Sequence, residues 1–262
     1  MAVSAIGLSS SPVAAWPSSL MESVTRDARR LLPKSLAMLI ERQEREILED
    51  AQRLSPELEA ALAADLALGR LSRETIDLVD ARGVETVGLL RKGQVSEAIP
   101  RLGAVARIAA DIADPTLTAG ATPVPPEVAR EYYAFLSENL AKIPVVLEDP
   151  AALRLKREGL GSYWQARLTR TRDDSVVMLG QLYPGGRVVD HRNFDYRSPI
   201  FAVASLAYSR AVTAVAAAWL ALWREAKGDM TMMPRLTVVV PREPPPPPAP
   251  RVVRPSPEAD EP

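Results

Sequence analysis

The chain has 262 residues, 47% of them hydrophobic and 25% charged, and its 32 basic and 33 acidic side chains leave a formal net charge of −1. That is enough apolar material for one domain with a core plus tails, and the near-balance of charge provides no global field toward nucleic acid or a membrane surface. With no cysteine and a single histidine, His191, the chain has no means to build thiolate sites, disulfides, cysteine-rich zinc sites or clusters of histidines.

Residues 1–15 form a run of small residues before Trp16, with no basic segment and only a short apolar stretch. The run is similar to the tail of a secretory leader. Read that way, the protein is periplasmic or secreted; read as a frayed terminus, it is cytoplasmic. From Leu20 to Asp50 apolar residues recur at helical spacing, and Pro33 fits the first turn of a second helix. Ser55-Pro56-Glu57 opens the next helix, which runs to Gly69. Ser72 opens another that contains Ile76, Val79, Val87 and Leu90, with Gly83 as a point of interruption.

Val95 to Asp114 carries a broad apolar stripe rich in alanine, as expected of a central helix that neighbours approach closely. A loop from Pro115 to Pro126 follows, then a helix from Glu127 to Ile143. Pro150 begins a helical region weakened by Gly159 and Gly161, with Asp173 to Leu182 as its continuation, and Tyr183-Pro184-Gly185-Gly186 marks a turn. After a polar loop, Ser198-Pro199 starts a long apolar helix that ends near Gly228, the residue type that usually closes helices.

A membrane span is the rival reading of that last helix, but Ser209 and Arg210 interrupt its centre, so there is no strong membrane-span signal. Beyond Met230, Leu236 to Val240 has the composition of a short strand, and the proline-rich remainder reads as a polyproline II or disordered tail. The expected division is therefore a leader remnant or disordered N-terminus at 1–15, a helical domain at 16–229, and an extended segment with a proline-rich tail at 230–262. The fold class is all-α, a multi-helix bundle.

Arg107 and Asp111 share the i,i+4 spacing that brings two side chains to one helix face. Because one is a cation, they read as an ion pair in which a guanidinium neutralises a carboxylate that a metal would otherwise hold. Glu138 lies one turn after Ala134, which offers it neither a ligand nor a hydrogen-bond partner, and two turns after Glu131. His191 sits in a polar loop beside Asp190; a lone histidine is a general-base candidate, but no G-x-S-x-G elbow supplies a nucleophile and no calcium-loop pattern surrounds it. No Walker or dinucleotide fingerprint appears. Tyr163, Trp164, Arg167, Arg170 and Arg172 interleave aromatic and basic residues, as nucleic-acid surfaces do; the plainer reading packs Trp164 and turns the arginines to water.

These helices and the segment around Asp111 resemble the bacterial zinc-dependent phospholipase C proteins and the related single-strand-specific fungal nucleases. The signature helix of that family carries Leu-Gly, a histidine, an aspartate after three intervening residues, a proline and a closing histidine. Leu102, Gly103, Asp111 and Pro115 match it, whereas Arg107 stands at the first histidine and Leu117 at the last. Trp16 looks like the tryptophan that begins the mature family chain; Glu22 lies where the first helix should carry a histidine; Ala134 and Glu138 are the counterpart of a later His-x-x-x-Glu pair. The resemblance implies an all-helical fold, a trinuclear zinc cluster and phosphoester hydrolysis, and its outline spans Trp16 to Gly228.

One histidine does not supply such a cluster. The expectation is thus a degenerate, metal-free relic site formed by Trp16, Glu22, Arg107, Asp111, Leu117, Ala134 and Glu138, in a non-catalytic protein that binds or scaffolds, with a protein as partner and no cofactor. The first alternative is a metal-dependent phosphoester hydrolase with an atypical site built from Asp111, Glu138 and His191, with zinc as cofactor and phospholipid or nucleic acid as substrate. The second is a membrane-associated helical protein.

Overall fold

Serine side chains start two of the helices as their sequences predict: Ser55 accepts a hydrogen bond from Leu58 N at 3.3 Å and Ser72 from Thr75 N at 3.2 Å. The computed structural model describes residues 16–118, 123–235 and 239–240. The readings of residues 1–15 as a leader remnant and of the proline-rich end as a tail lie outside them. Over the described residues the chain is an all-α, multi-helix bundle. Its helices are α1 (Ser18–Arg29), α2 (Lys34–Arg42), α3 (Glu44–Ala51), α4 (Pro56–Leu68), α5 (Arg73–Arg91), α6 (Val95–Ala98), α7 (Leu102–Asp111), α8 (Pro126–Asn139), α9 (Leu160–Leu182) and α10 (Pro199–Glu225). Short 3₁₀ turns follow α8 and precede α9.

The helices α7 and α10 form the centre. Every residue of α10 from Ala207 to Trp223 is buried, as is every residue of α7 except Arg107. Alanines on both helices allow close approach, and Trp219, fully buried on α10, donates its indole N–H to Leu102 O at 3.0 Å. α10 packs against α7, α9 and α1, and α3 crosses α7 on another side. The apolar stretch in α10 is long enough to cross a bilayer, yet 78% of it is buried inside the bundle. Helix-on-helix packing thus accounts for its composition without lipid.

Several boundaries differ from those expected. The segment from Pro33 to Asp50 is broken at Gln43 (φ −122°, ψ 25°), separating α2 from α3. Gly83 does not interrupt α5; it lies against Leu222, where an added Cβ would be 3.1 Å from the leucine Cδ2. The central helix read from Val95 to Asp114 is two helices, because Pro100 lacks an amide hydrogen and ends α6. The helix expected to reach Ile143 ends at Asn139, with a 3₁₀ turn over Leu140–Lys142. α10 ends at Glu225, not at Gly228: Lys227 takes the left-handed position (φ 60°), and Gly228 N closes the turn on Trp223 O at 2.8 Å. The short strand expected within 236–240 appears as β2 (Val239–Val240), and its antiparallel partner β1 (Val145–Val146) was not anticipated.

Arg210 resolves the oddity of a charge in the middle of an apolar helix. Its guanidinium bonds Glu148 Oε2 at 2.9 Å and also pairs with Asp174 of α9. Arg167 of α9 joins the same group, 3.0 Å from Glu148 Oε2 and 3.2 Å from Asp149. Arg167 therefore turns inward rather than to water as expected, while Trp164 packs as expected and Arg170 and Arg172 are exposed.

Candidate functional site

One turn of α7 sets Arg107 and Asp111 on the same face, and Arg107 Nε lies 2.6 Å from Asp111 Oδ2. The carboxylate is inside the protein, with a side chain 3% exposed, and its Oδ1 has no hydrogen-bond partner among the described residues. Arg107 is 19% exposed and extends from Asp111 to the wall of a cleft of about 220 Å3. Trp16, Ser18, Glu22 and Gln52 line the same cleft. Trp16 is fixed there by its indole N–H, which donates to Ala110 O on α7 at 3.1 Å, and by packing of its ring against Tyr208. Glu22 pairs along α1 with Arg26.

Burial pushes the Asp111 carboxyl up to about 7; the Arg107 charge and hydrogen bond oppose that rise, and Asp114 and Glu59 add to it. The donor set does not fit a multinuclear zinc site. It offers one buried carboxylate, no imidazole, and a guanidinium bonded to one oxygen of that carboxylate.

The remaining relic positions do not join this cleft. Leu117 packs partly buried against the core, and Ala134 is half-buried on α8. Glu138 is exposed, and its carboxylate meets His191 Nε2 at 3.1 Å. The expected grouping of Asp111 with Glu138 and His191 is therefore corrected to a partial one. Asp111 is held by Arg107 inside the bundle, while Glu138 and His191 meet at the surface between α8 and the loop before α10.

His191 is held more tightly by a residue to which the sequence assigned no role. Glu131 Oε2 lies 2.7 Å from His191 Nδ1 and also accepts the His191 backbone N–H at 3.0 Å. Asp190 Oδ1 is 3.7 Å from Nδ1, and Asp190 is bonded by Arg192. Ligand atoms of Glu131, Asp190 and His191 lie within 4.8 Å of one another, a spacing compatible with a metal ion. The available signal was the seven-residue separation of Glu131 and Glu138, which puts both carboxylates on one face of α8.

Partial burial lowers the His191 imidazolium, but hydrogen bonds and charge from Glu131 and Glu138 outweigh it and leave the pKa above the usual value. The Glu131 carboxyl is held below its ordinary range by the His191 hydrogen bonds, as Asp190 is by Arg192. A histidine raised in the folded state contributes stability that is full below its unfolded pKa of about 6.5 and is lost as pH rises through the folded value. His191→Gln is thus expected to lower stability by about 1 kcal/mol at pH 6 and by less at pH 9, measured as the difference in urea unfolding between the two proteins at each pH.

Asp114 is a second buried carboxyl whose role was not anticipated. Its Oδ1 accepts from Thr116 N and Oγ1, both at 2.8 Å, and its Oδ2 accepts from the Tyr133 hydroxyl at 2.7 Å. Burial pushes it up to about 6, against the hydrogen bonds from Tyr133 and Thr116. Asp-Pro-Thr is a turn-forming sequence in which the aspartate bonds the backbone two residues on. Asp114 thus ends the central segment and ties it to α8.

Comparison with known protein families, curated proteins and solved structures finds no match for the chain.

Proposed function

We propose that this protein is a non-catalytic helical domain that works by binding or scaffolding, and that it descends from the phosphoester-hydrolase fold of the zinc-dependent phospholipases C and single-strand-specific nucleases. The observation that carries this reading is the 2.6 Å pair between Arg107 and the buried Asp111, with Arg107 lining a cleft beside Trp16 and Glu22. A hydrolytic metal centre needs converging ligands and an open position for water. Here a guanidinium supplies the positive charge and cannot generate a hydroxide. The cleft retains a shape that can hold a ligand without the groups that would cleave it, and a protein is the partner this reading favours.

A second reading has its own observation in its favour. His191 lies between Glu131 and Glu138 with Asp190 beside it. Glu131, Asp190 and His191 would hold one divalent cation at the surface, which would supply Lewis acidity toward a phosphoester. Hydrolysis of bis(p-nitrophenyl) phosphate with added zinc, manganese or magnesium separates the readings. The proposal predicts no turnover above the metal-only control for the wild type. Turnover abolished by His191→Ala and kept by Asp111→Asn establishes the second reading, whereas turnover abolished by Asp111→Asn overturns the account of the cleft.

A further inference from the structure

A cavity on the other side of α7 carries an inference independent of the relic cleft. It measures about 330 Å3 and opens between α5, α9 and α10, within the size range of small-ligand pockets. Ile76, Val79, Val105, Leu160 and Leu222 supply its apolar walls. Gly161 opens one side: a Cβ there would stand 3.4 Å from two carbons of Ile76, in ordinary contact, so a longer side chain would extend into this region. Trp164, 3% exposed, also lines the cavity and contributes an aromatic ring to its wall.

The polar part of the lining carries an excess of negative charge. Arg73 and Arg157 face Asp77, Asp80 and Glu158. Both guanidiniums are occupied: Arg73 Nε is 3.0 Å from Asp77, and Arg157 bridges Asp80 and Glu225, the latter at 2.7 Å. Glu158 comes only within 3.9 Å of Arg157 and is largely exposed. An entering anion would meet three carboxylates against two arginines that are already paired with carboxylates. An entering cation would find Glu158 only loosely paired, with the aromatic ring of Trp164 in the wall below.

We propose that this cavity binds a small amphipathic amine, its hydrocarbon part against Ile76, Leu160 and Leu222 and its ammonium group at Glu158, in the negative field that Asp77 adds to. Octylammonium is the probe, titrated calorimetrically into the full chain beside octanol and octyl sulfate. The expected result is one saturable site for octylammonium, with affinity falling about fourfold for each methylene removed and at least tenfold in Gly161→Leu. The double variant Asp77→Asn, Glu158→Gln changes two exposed side chains and tests the charge without touching the core; it should weaken octylammonium at least fivefold and leave octanol unchanged. Absence of saturable binding, equal binding by Gly161→Leu in its folded form, or octyl sulfate or octanol binding as tightly as octylammonium overturns the proposal. If Gly161→Leu does not fold, the double variant decides: unchanged octylammonium affinity then overturns it.

Discussion

Replacing Arg107 by alanine is expected to cost about 3 kcal/mol of folding stability at pH 8 and about 1 kcal/mol at pH 5. The pair is buried on the carboxylate side, and among the described residues Asp111 has no second partner: its Oδ1 is unsatisfied, and its Oδ2 depends on Arg107. At pH 8, above the value of about 7 to which burial raises Asp111, the variant must either bury an unpaired charge or bind a proton against the solution. At pH 5 the carboxyl is mostly protonated with or without the arginine, and what is lost is the hydrogen bond to Asp111, a long one to Ala51 O and some packing. A carboxyl whose pKa is raised in the folded state contributes stability that is full below its unfolded value and is lost as pH rises through the folded one. Removing Arg107 steepens that loss. The penalty in urea unfolding should therefore grow from pH 5 to pH 8. The double variant Arg107→Met, Asp111→Leu should return to within about 1 kcal/mol of the wild type, because apolar residues replace a buried pair at little cost. A pH-independent penalty would mean that Asp111 is not the group that Arg107 neutralises.

Gly103→Ala is expected to be comparably severe, about 3 kcal/mol or more, which places it beyond ordinary overpacking. An added Cβ would stand 2.0 Å from Ile47 O and 2.8 Å from Ala51 N. Both atoms belong to the backbone of α3, so no rotamer change relieves the contact; the two helices must separate. Their separation would also strain a tie between them. Asp50, near the end of α3, accepts the Ala104 N–H of the first turn of α7 at 2.8 Å and pairs with Arg82 of α5 at 2.6 Å. That carboxylate satisfies an amide with no partner inside its own helix. Thermal unfolding should show a fall on the order of 10 °C, given a few degrees per kcal/mol for a chain of this size. Gly88→Ala, at a helical position where an added Cβ meets nothing within 4 Å, serves as the control.

Gly103 illustrates what a sequence conveys and what it withholds. The residue stands out beside Leu102 at the start of an alanine-rich segment, but its reason, the passage of α3 across it, is a contact between distant parts of the chain. Local signals fared well where the chemistry is local. Ser55 and Ser72 cap the helices they precede, and Arg107 meets Asp111 because the two are one helical turn apart. Gln43 breaks a helix with neither proline nor glycine to announce it, and Pro100 was visible but absorbed into a continuous apolar pattern. The partners of His191 were not legible, since Glu131 lies 60 residues away and only the fold brings that face of α8 to the loop. The inward turn of Arg167 is hidden for the same reason: the carboxylates that draw it inward, Glu148 and Asp149, lie in the loop after β1.

In the proposed reading of the cleft a guanidinium, not a metal, balances Asp111. The most direct measurement is the zinc content of the native protein, purified without chelators and compared with Asp111→Asn and His191→Ala prepared alongside. The account predicts well below one equivalent of zinc attributable to Asp111, with no difference between the wild type and Asp111→Asn. One or more equivalents in the wild type, lost in Asp111→Asn and kept in His191→Ala, would contradict it.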